Sequence, residues 1–294
     1  MKIALFGSSF PEHFIKYIQH LVSKLESANL EILIESNFFN FIEKKIRFKN
    51  SYYLFNSYEE LKPIDNVKFL FSIGGDGTLL KAVTIVRDTG IPIMGINTGR
   101  LGFISSVSTD QIDEAISSLI KKKYSINKRT VLQLTTSNNL FGIKNFALNE
   151  VAVMKKDTSS MIKVDAYIND EFLNTYWADG LIVSTPTGST GYSLSCGGPI
   201  IMPGTGNIII TPVTQHNLNV RPIVIDDNSK VHLKVEDRDQ LALVSLDSRS
   251  RAFDSSIELT IKKAPFKINL IEPYGNSFVA TVRAKLMWGI DKRN

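Results

Sequence analysis

Short apolar runs alternate with helically spaced apolar residues through the first part of the chain. Lys2 to Gly7 is one such run, and Phe14, Ile18, Leu21, Val22 and Leu25 follow at helical spacing, which predicts a β-α opening. Glu31 to Glu35 predicts a strand, Phe38 to Ile46 a short helix and Phe69 to Ile73 a buried strand, with Pro63 punctuating the link. Leu79, Leu80, Val83 and Val86 share one helical face, Gly90 supplies a stop, and Ile91 to Ile96 forms a further apolar strand. Ser108 and Gln111 have capping-box spacing ahead of a stripe of Ile112, Ala115, Ile116, Leu119 and Ile120. This alternation predicts an α/β N-terminal domain over residues 1–123 with a largely parallel sheet.

Beyond Lys123 the period changes. Thr130 to Thr135, Phe146 to Met154, Ile162 to Ile168 and Phe172 to Trp177 predict successive strands, and Asn169-Asp170 supplies a hairpin turn. Ile208 to Pro212, Val231 to Val235, Leu241 to Leu246, Ile257 to Ile261 and Phe266 to Ile271 extend the series. Residues 124–271 are therefore expected to form a mainly-β domain. The last stretch, 272–294, holds a closing helix between Ser277 and Trp288 and is expected to pack back on the N-terminal domain.

Composition narrows the function classes. Thirty-four basic against 29 acidic residues give a formal net charge of +5, without the basic block of a nucleic-acid-binding arm. Cys196 is the only cysteine, so an internal disulfide and a multi-cysteine zinc site are excluded by counting. The opening apolar run is too short for a signal peptide, and no apolar stretch nears the roughly 20 residues needed to cross a bilayer. A cytoplasmic protein without a membrane or nucleic-acid partner is expected.

Two segments carry the candidate chemistry. Ser72-Ile73-Gly74-Gly75-Asp76-Gly77-Thr78 lies between a buried strand and a helix start, where backbone amides favour an anion and glycine permits close approach. An aspartate inside an anion site costs repulsion, which is explained if it binds magnesium or accepts a proton from a hydroxyl. The alternative is a glycine-rich turn in which Asp76 merely caps the helix. Ala178 to Pro199 is a long run of glycines and small hydroxyl residues with one tyrosine, suited to hydrogen bonding and ring stacking, although a solvent-facing loop has similar composition. Asn149-Glu150 interrupts an apolar strand pattern, and buried polar residues need partners, either an inter-strand network or a ligand. Gly-x-Gly-x-x-Gly, P-loop, His-Glu-x-x-His and Gly-x-Ser-x-Gly patterns are all missing, which removes ordinary dehydrogenase, P-loop kinase, zinc protease and esterase readings.

Taken together, Gly74 to Thr78, Asn97-Thr98-Gly99-Arg100-Leu101-Gly102-Phe103, Asn149-Glu150 and Asp179 to Pro199 resemble the NAD kinase family in order and spacing. The likeness extends to His216 to Pro222, Asp247 and Arg283 to Gly289, whereas the first 68 residues match in layout only. It implies a β-sandwich-like second domain, a site drawing on both domains, and transfer of phosphate from ATP to the 2′-hydroxyl of the adenosine ribose of NAD. Asp76 is the implied catalytic base. Gly74, Gly75, Gly77, Thr78 and Lys81 are the implied phosphate and ATP contacts. The implied NAD contacts are Gly77, Phe103, Asn149, Glu150, Asp179, Thr190, Gly191, Tyr192, Ser193, Leu194 and Ser195, with Asn149 and Glu150 on the adenosine side and Asp179 toward the nicotinamide. The resemblance also implies a divalent metal, Mg2+, and a homodimer or homotetramer. Three departures bear on pocket shape: Gly191 replaces the usual alanine, Asn217 and Asn219 replace serine or threonine, and Ser248 follows Asp247 where glycine is commoner. The rival functions are another kinase of the glycine-aspartate superfamily acting on a lipid or sugar phosphate, and a non-catalytic NAD(P)-binding sensor.

Overall fold

The computed structural model describes residues 1–99, 102–105, 107–156, 161–217, 219–237, 240–273 and 277–288. The chain divides into two compact units, one of Met1–Lys128 with Ile268–Asn294 and one of Arg129–Lys267. This moves the boundaries expected at 123 and 271. Tyr124–Arg129 and Ile268–Pro273 are both strands of the first sheet, so the chain leaves that unit and returns to it by way of strands.

The first unit is built on a sheet in the order Tyr52–Phe55, Glu31–Glu35, Lys2–Gly7, Val67–Ile73, Ile93–Asn97, Ile268–Pro273, Tyr124–Arg129, with Val107–Ser108 also paired to Ile93–Asn97. The pairings from Tyr52–Phe55 across to Ile268–Pro273 are parallel. Strands covered on both faces need apolar residues at every position, and Ile93–Asn97 is buried along its whole length. On one face Ile18, Leu21, Val22 and Leu25 of helix Ile15–Ser27 join Ile112, Ile116 and Leu119 of helix Ile112–Ile120 over Ile3, Leu5, Ile34, Phe71 and Met94. The capping box closes as its spacing predicts, with Ser108 and Gln111 bonded reciprocally. The expected helix Phe38 to Ile46 is shorter, Ser36–Ile42, and the Glu35 carboxylate caps it by accepting from the Phe38 N–H.

Strand order reverses at Lys2–Gly7, which is flanked by Glu31–Glu35 on one side and by Val67–Ile73 on the other. Such a switch point opens a crevice beyond the carboxyl ends of the two strands. Gly7 and Ile73 are register partners there, so the loop after Ile73 borders the crevice.

The second unit is a sandwich of two six-stranded sheets. Its pairings are antiparallel. One sheet runs Ile223–Asp226, Asn207–Val213, Gly180–Ser184, Glu150–Lys155, Leu241–Leu246, Arg249–Asp254; the other runs Glu171–Ala178, Ile162–Ile168, Val231–Glu236, Leu259–Lys263, Leu132–Thr135, Phe146–Ala147. Val151, Val153, Leu181, Val183 and Val244 of the first sheet meet Ile162, Val164, Leu233, Leu259 and Ile261 of the second in one core. Asn169 and Asp170 both lie at positive φ, 50 and 70°, as a two-residue hairpin of this twist requires. The expected strand Phe146 to Met154 is broken into Phe146–Ala147 and Glu150–Lys155, which sit in different sheets.

Candidate active site

In the first unit, Gly75 caps helix Asp76–Val86 and its carbonyl accepts from the Thr78 and Leu79 N–H groups, which leaves those of Asp76 and Gly77 without an intrahelical acceptor. Gly74 lies at φ 147°, and a Cβ there would run into the Thr78 hydroxyl. A Cβ on Gly75 or Gly77 would meet nothing within 4 Å. The Thr78 side chain is buried and donates to Ser8 Oγ at 3.0 Å, which ties the helix start to the end of the first strand. The Thr78 N–H donates to the Gly75 carbonyl at 3.0 Å, so both donors of this residue are engaged. Lys81 is exposed and lies in the second helical turn.

Asp76 faces the segment Gly102–Ser105. Its carboxylate accepts backbone N–H groups from Phe103 at 2.8 Å, Ser105 at 2.9 Å and Ile104 at 3.3 Å. A Cβ on Gly102 would fall on that carboxylate, and the Ser105 hydroxyl donates to the Gly74 carbonyl at 3.1 Å. Asp76 therefore folds Phe103 against the glycine loop. The Lys285 ammonium lies 5.3 Å from the centre of the Phe103 ring. Of the matched motifs, Arg100, Leu101, Leu218 and Gly289 lie outside the described residues.

In the second unit, Asn149 stands in the break between two strands and Glu150 opens the next. Asn149 Oδ1 and Glu150 Oε2 are buried without a hydrogen-bond partner. Burial pushes the Glu150 carboxyl up to about 8, and the Asp247 charge adds to this. Gly191 lies over the pair: a Cβ there would stand 3.2 Å from Glu150 Oε2 and 3.4 Å from Asn149 Nδ2. Glycine in place of the usual alanine leaves that space open. Gly188 is required outright, because a Cβ would overlap the Asn149 carbonyl.

The hydroxyl-rich run is not a solvent-facing loop. Gly180–Ser184 is a fully buried central strand, and Thr185, Thr187, Ser189 and Ser193 are buried. Ser193 is hydrogen-bonded to Thr211 at 2.8 Å, the Ser189 hydroxyl donates to the Pro186 carbonyl at 2.7 Å, and Thr190 bonds to the Thr187 carbonyl at 3.2 Å. These hydroxyls hold the turn Gly188–Thr190 and the short helix Tyr192–Ser195. Ser193 is thereby a packing residue. Tyr192 and Ser195 are exposed and Leu194 is half-buried. Asp179 is ion-paired with Lys155 at 2.6 Å.

Sequence pattern alone does not mark Ser8 or Asp247 as site residues. Asp247 lies at φ 53° and is the left-handed residue of its turn, which explains why Ser248 needs no glycine. The only signal available was the presence of Asp247 among the matched motifs.

A doubly wound sheet with a glycine-aspartate loop at its switch point, followed by a sandwich with an unsatisfied polar pair, defines a two-domain nucleotide-using phosphotransferase. The ATP-NAD kinase N-terminal domain family matches residues 14–124, and the ATP-NAD kinase C-terminal domain family matches residues 148–272. NAD kinases of Flavobacterium psychrophilum and Bacteroides fragilis are 48% and 42% identical, each covered along 100% of both chains. The chain belongs to the NAD kinase family and is a kinase. Among solved structures, an NAD kinase from Archaeoglobus fulgidus in complex with ATP superposes with TM-score 0.74 at 26% identity, covering 98% of this chain and 99% of that one. Yeast NADH kinase complexed with NADH shares the fold, with TM-score 0.87 at 20% identity over 100% of this chain and 89% of that one.

Proposed function

We propose that the chain transfers the terminal phosphate of ATP to the 2′-hydroxyl of the adenosine ribose of NAD, giving NADP and ADP, with Asp76 as the base. The observation that carries this reading is the placement of Asp76 at a helix start beside the switch-point crevice, with open space over Gly75 and Gly77. An ionised carboxylate offers about four lone-pair positions. Three N–H groups occupy part of that capacity at Asp76, and the remainder accepts the ribose hydroxyl. As the 2′-oxygen bonds to the γ-phosphorus, its proton passes to Asp76 and the β-γ bridging oxygen leaves with ADP. Charge on the moving phosphoryl group is met by the amides of Gly75, Asp76 and Gly77.

Among the described residues no three His, Cys, Asp or Glu side chains stand together as a metal cage. Magnesium would instead be carried on the triphosphate, since Mg2+ is commonly held by substrate phosphates and waters with few protein carboxylates. Lys81 supplies an exposed cation for the donor phosphates. The ATP complex of the Archaeoglobus relative supports ATP as donor.

Asn149 and Glu150 hold the adenosine side of NAD through their orphaned oxygens, beneath the gap at Gly191. Phe103, Tyr192 and Ser195 offer ring and hydroxyl contacts, whereas Asp179 reaches the nicotinamide side once it shares or releases Lys155. The reading includes a cytoplasmic homodimer or homotetramer, supported by the family likeness. Incubating the purified protein with ATP, magnesium and NAD, with an NADP-specific dehydrogenase as detector, tests it. NADP is expected. Phosphorylation of a lipid or sugar phosphate without NADP would replace the acceptor, and NAD binding without turnover would mark a sensor.

A further inference from the structure

The backbone carrying Asn149 and Glu150 is gripped on both sides. The Thr185 hydroxyl donates to the Leu148 carbonyl at 2.6 Å, and the Thr185 N–H donates to the Asn149 carbonyl at 2.9 Å. The N–H groups of Leu148, Asn149 and Glu150 all donate to one carboxylate, that of Asp247, at 3.0, 2.7 and 3.3 Å. The Asp247 N–H returns a bond to the Glu150 carbonyl at 3.0 Å. Asp247 is almost wholly enclosed, with its side chain 2% exposed, and Arg249 Nη2 stands 3.9 Å away as its nearest cation.

Burying a carboxylate this deeply is costly and pushes the Asp247 carboxyl up, and three N–H donors with one distant guanidinium offset part of that cost. Hairpin closure alone does not require such an arrangement, because Leu246 and Arg249 already pair across the turn. What the carboxylate adds is a fixed direction for three successive amides, and with them the departure angles of the Asn149 and Glu150 side chains. Those side chains hold the buried oxygens that lack partners. Strain or slack in the 148–150 backbone would be transmitted to them directly.

We propose that Asp247 is the positioning residue of the dinucleotide subsite: through three backbone amides it aims the orphaned oxygens of Asn149 and Glu150 at the gap left by Gly191. This rests on the reading of that pair as an NAD contact. Asp247 touches no substrate in this scheme.

The test is Asp247→Asn in the full-length protein. The amide has one accepting oxygen and turns its NH2 against at least one of the three N–H groups, so the 148–150 backbone must shift. KM for NAD is expected to rise about tenfold or more, the consequence of misaligned buried hydrogen bonds. KM for ATP and kcat at saturating NAD should stay within about threefold. Calorimetric titration with NAD, without ATP, should show the same loss of affinity. Arg249→Lys is the control: it loosens the hairpin end, where Arg249 donates to the carbonyls of Lys144 and Phe146, but leaves the Asp247 carboxylate in place. An equal rise in KM for NAD in Arg249→Lys would reduce Asp247 to a fold-stabilising role and overturn the proposal, as would unchanged NAD affinity in Asp247→Asn. Asp247→Ser, which keeps a single neutral acceptor, decides the question in the same way should the asparagine variant not fold. In the double variant with Asn149→Ala the losses should be less than additive, because one acts through the other. If Asn149→Ala itself leaves NAD affinity unchanged, the NAD reading of the pair fails, which is distinguishable from failure of Asp247 as its positioner.

Discussion

Replacing Asp76 with asparagine separates its two duties. The native carboxylate uses both oxygens, Oδ2 toward the Phe103 N–H and Oδ1 toward the N–H groups of Ser105 and Ile104. Asparagine can serve one side only and presents its NH2 to the other, so at least one backbone donor is left facing a donor. Losing a hydrogen bond to a charged acceptor costs about 1.5–3 kcal/mol, which in a chain this size lowers the melting temperature by roughly 3–12 °C. The catalytic loss is larger. Removing a general base costs about 10²–10⁴ in rate. Gly102→Ala provides the comparison, because its Cβ falls on the same carboxylate and displaces the loop without removing the base. Melting curves and steady-state NADP formation should be measured on both variants. Similar melting shifts are expected, with kcat at least about 10²-fold below wild type in Asp76→Asn alone. Because Phe103 moves with the loop, some rise in KM for NAD is expected in both. Equal kcat in the two variants, or turnover of Asp76→Asn within a few-fold of wild type, would refute the assignment of Asp76 as base.

Asn149→Ala should weaken NAD binding by about 1–3 kcal/mol with ATP affinity preserved, read from calorimetric titrations. Glu150 predicts a pH effect on stability: with its carboxyl raised from 4.5 to about 8, its contribution is full below pH 4.5 and is lost as pH rises through 8. The ligand-free melting temperature should fall over that window, by an amount corresponding to up to about 5 kcal/mol, and Glu150→Gln should flatten the curve; an identical slope in the variant would remove Glu150 as the cause. Lys81→Ala should raise KM for ATP a few-fold and leave KM for NAD unchanged, since Lys81 is an exposed cation on the helix that the glycine loop opens; the reverse pattern would move it to the NAD side.

Elements whose burial sets a period were legible in the sequence. Of the predicted stripe, Ile112, Ala115, Ile116 and Leu119 are buried, whereas Ile120 at the last turn is exposed, and Asn169-Asp170 forms the expected turn. Gly180–Ser184 was not read as a strand because it sits among glycines and hydroxyls, which signal loops, yet it is central and wholly buried. Tyr124–Arg129 was missed because an edge strand with exposed Ser125, Ile126 and Lys128 has no apolar run. Ile268–Pro273 has a clear strand pattern but belongs to the first sheet and not to the sandwich, since local pattern encodes strand character and not partner. The site divides in the same way. The residues proposed to carry its chemistry lie in local motifs, but the contacts that fix them join residues far apart: Thr78 to Ser8 across 70 positions, and Asn149 to Asp247 across 98. Nothing local distinguishes Ser193, bonded to Thr211, from Ser195, which is exposed.

The central claim is a transfer to one particular oxygen, and following the phosphorus tests it most directly. The protein should be incubated with ATP labelled at its γ-phosphate, magnesium and NAD, and the product cleaved at its pyrophosphate and identified. The account predicts label on the 2′-oxygen of the adenosine ribose in the wild-type protein, and almost none in Asp76→Asn. Label on any other hydroxyl, or equal labelling by the two proteins, would contradict it.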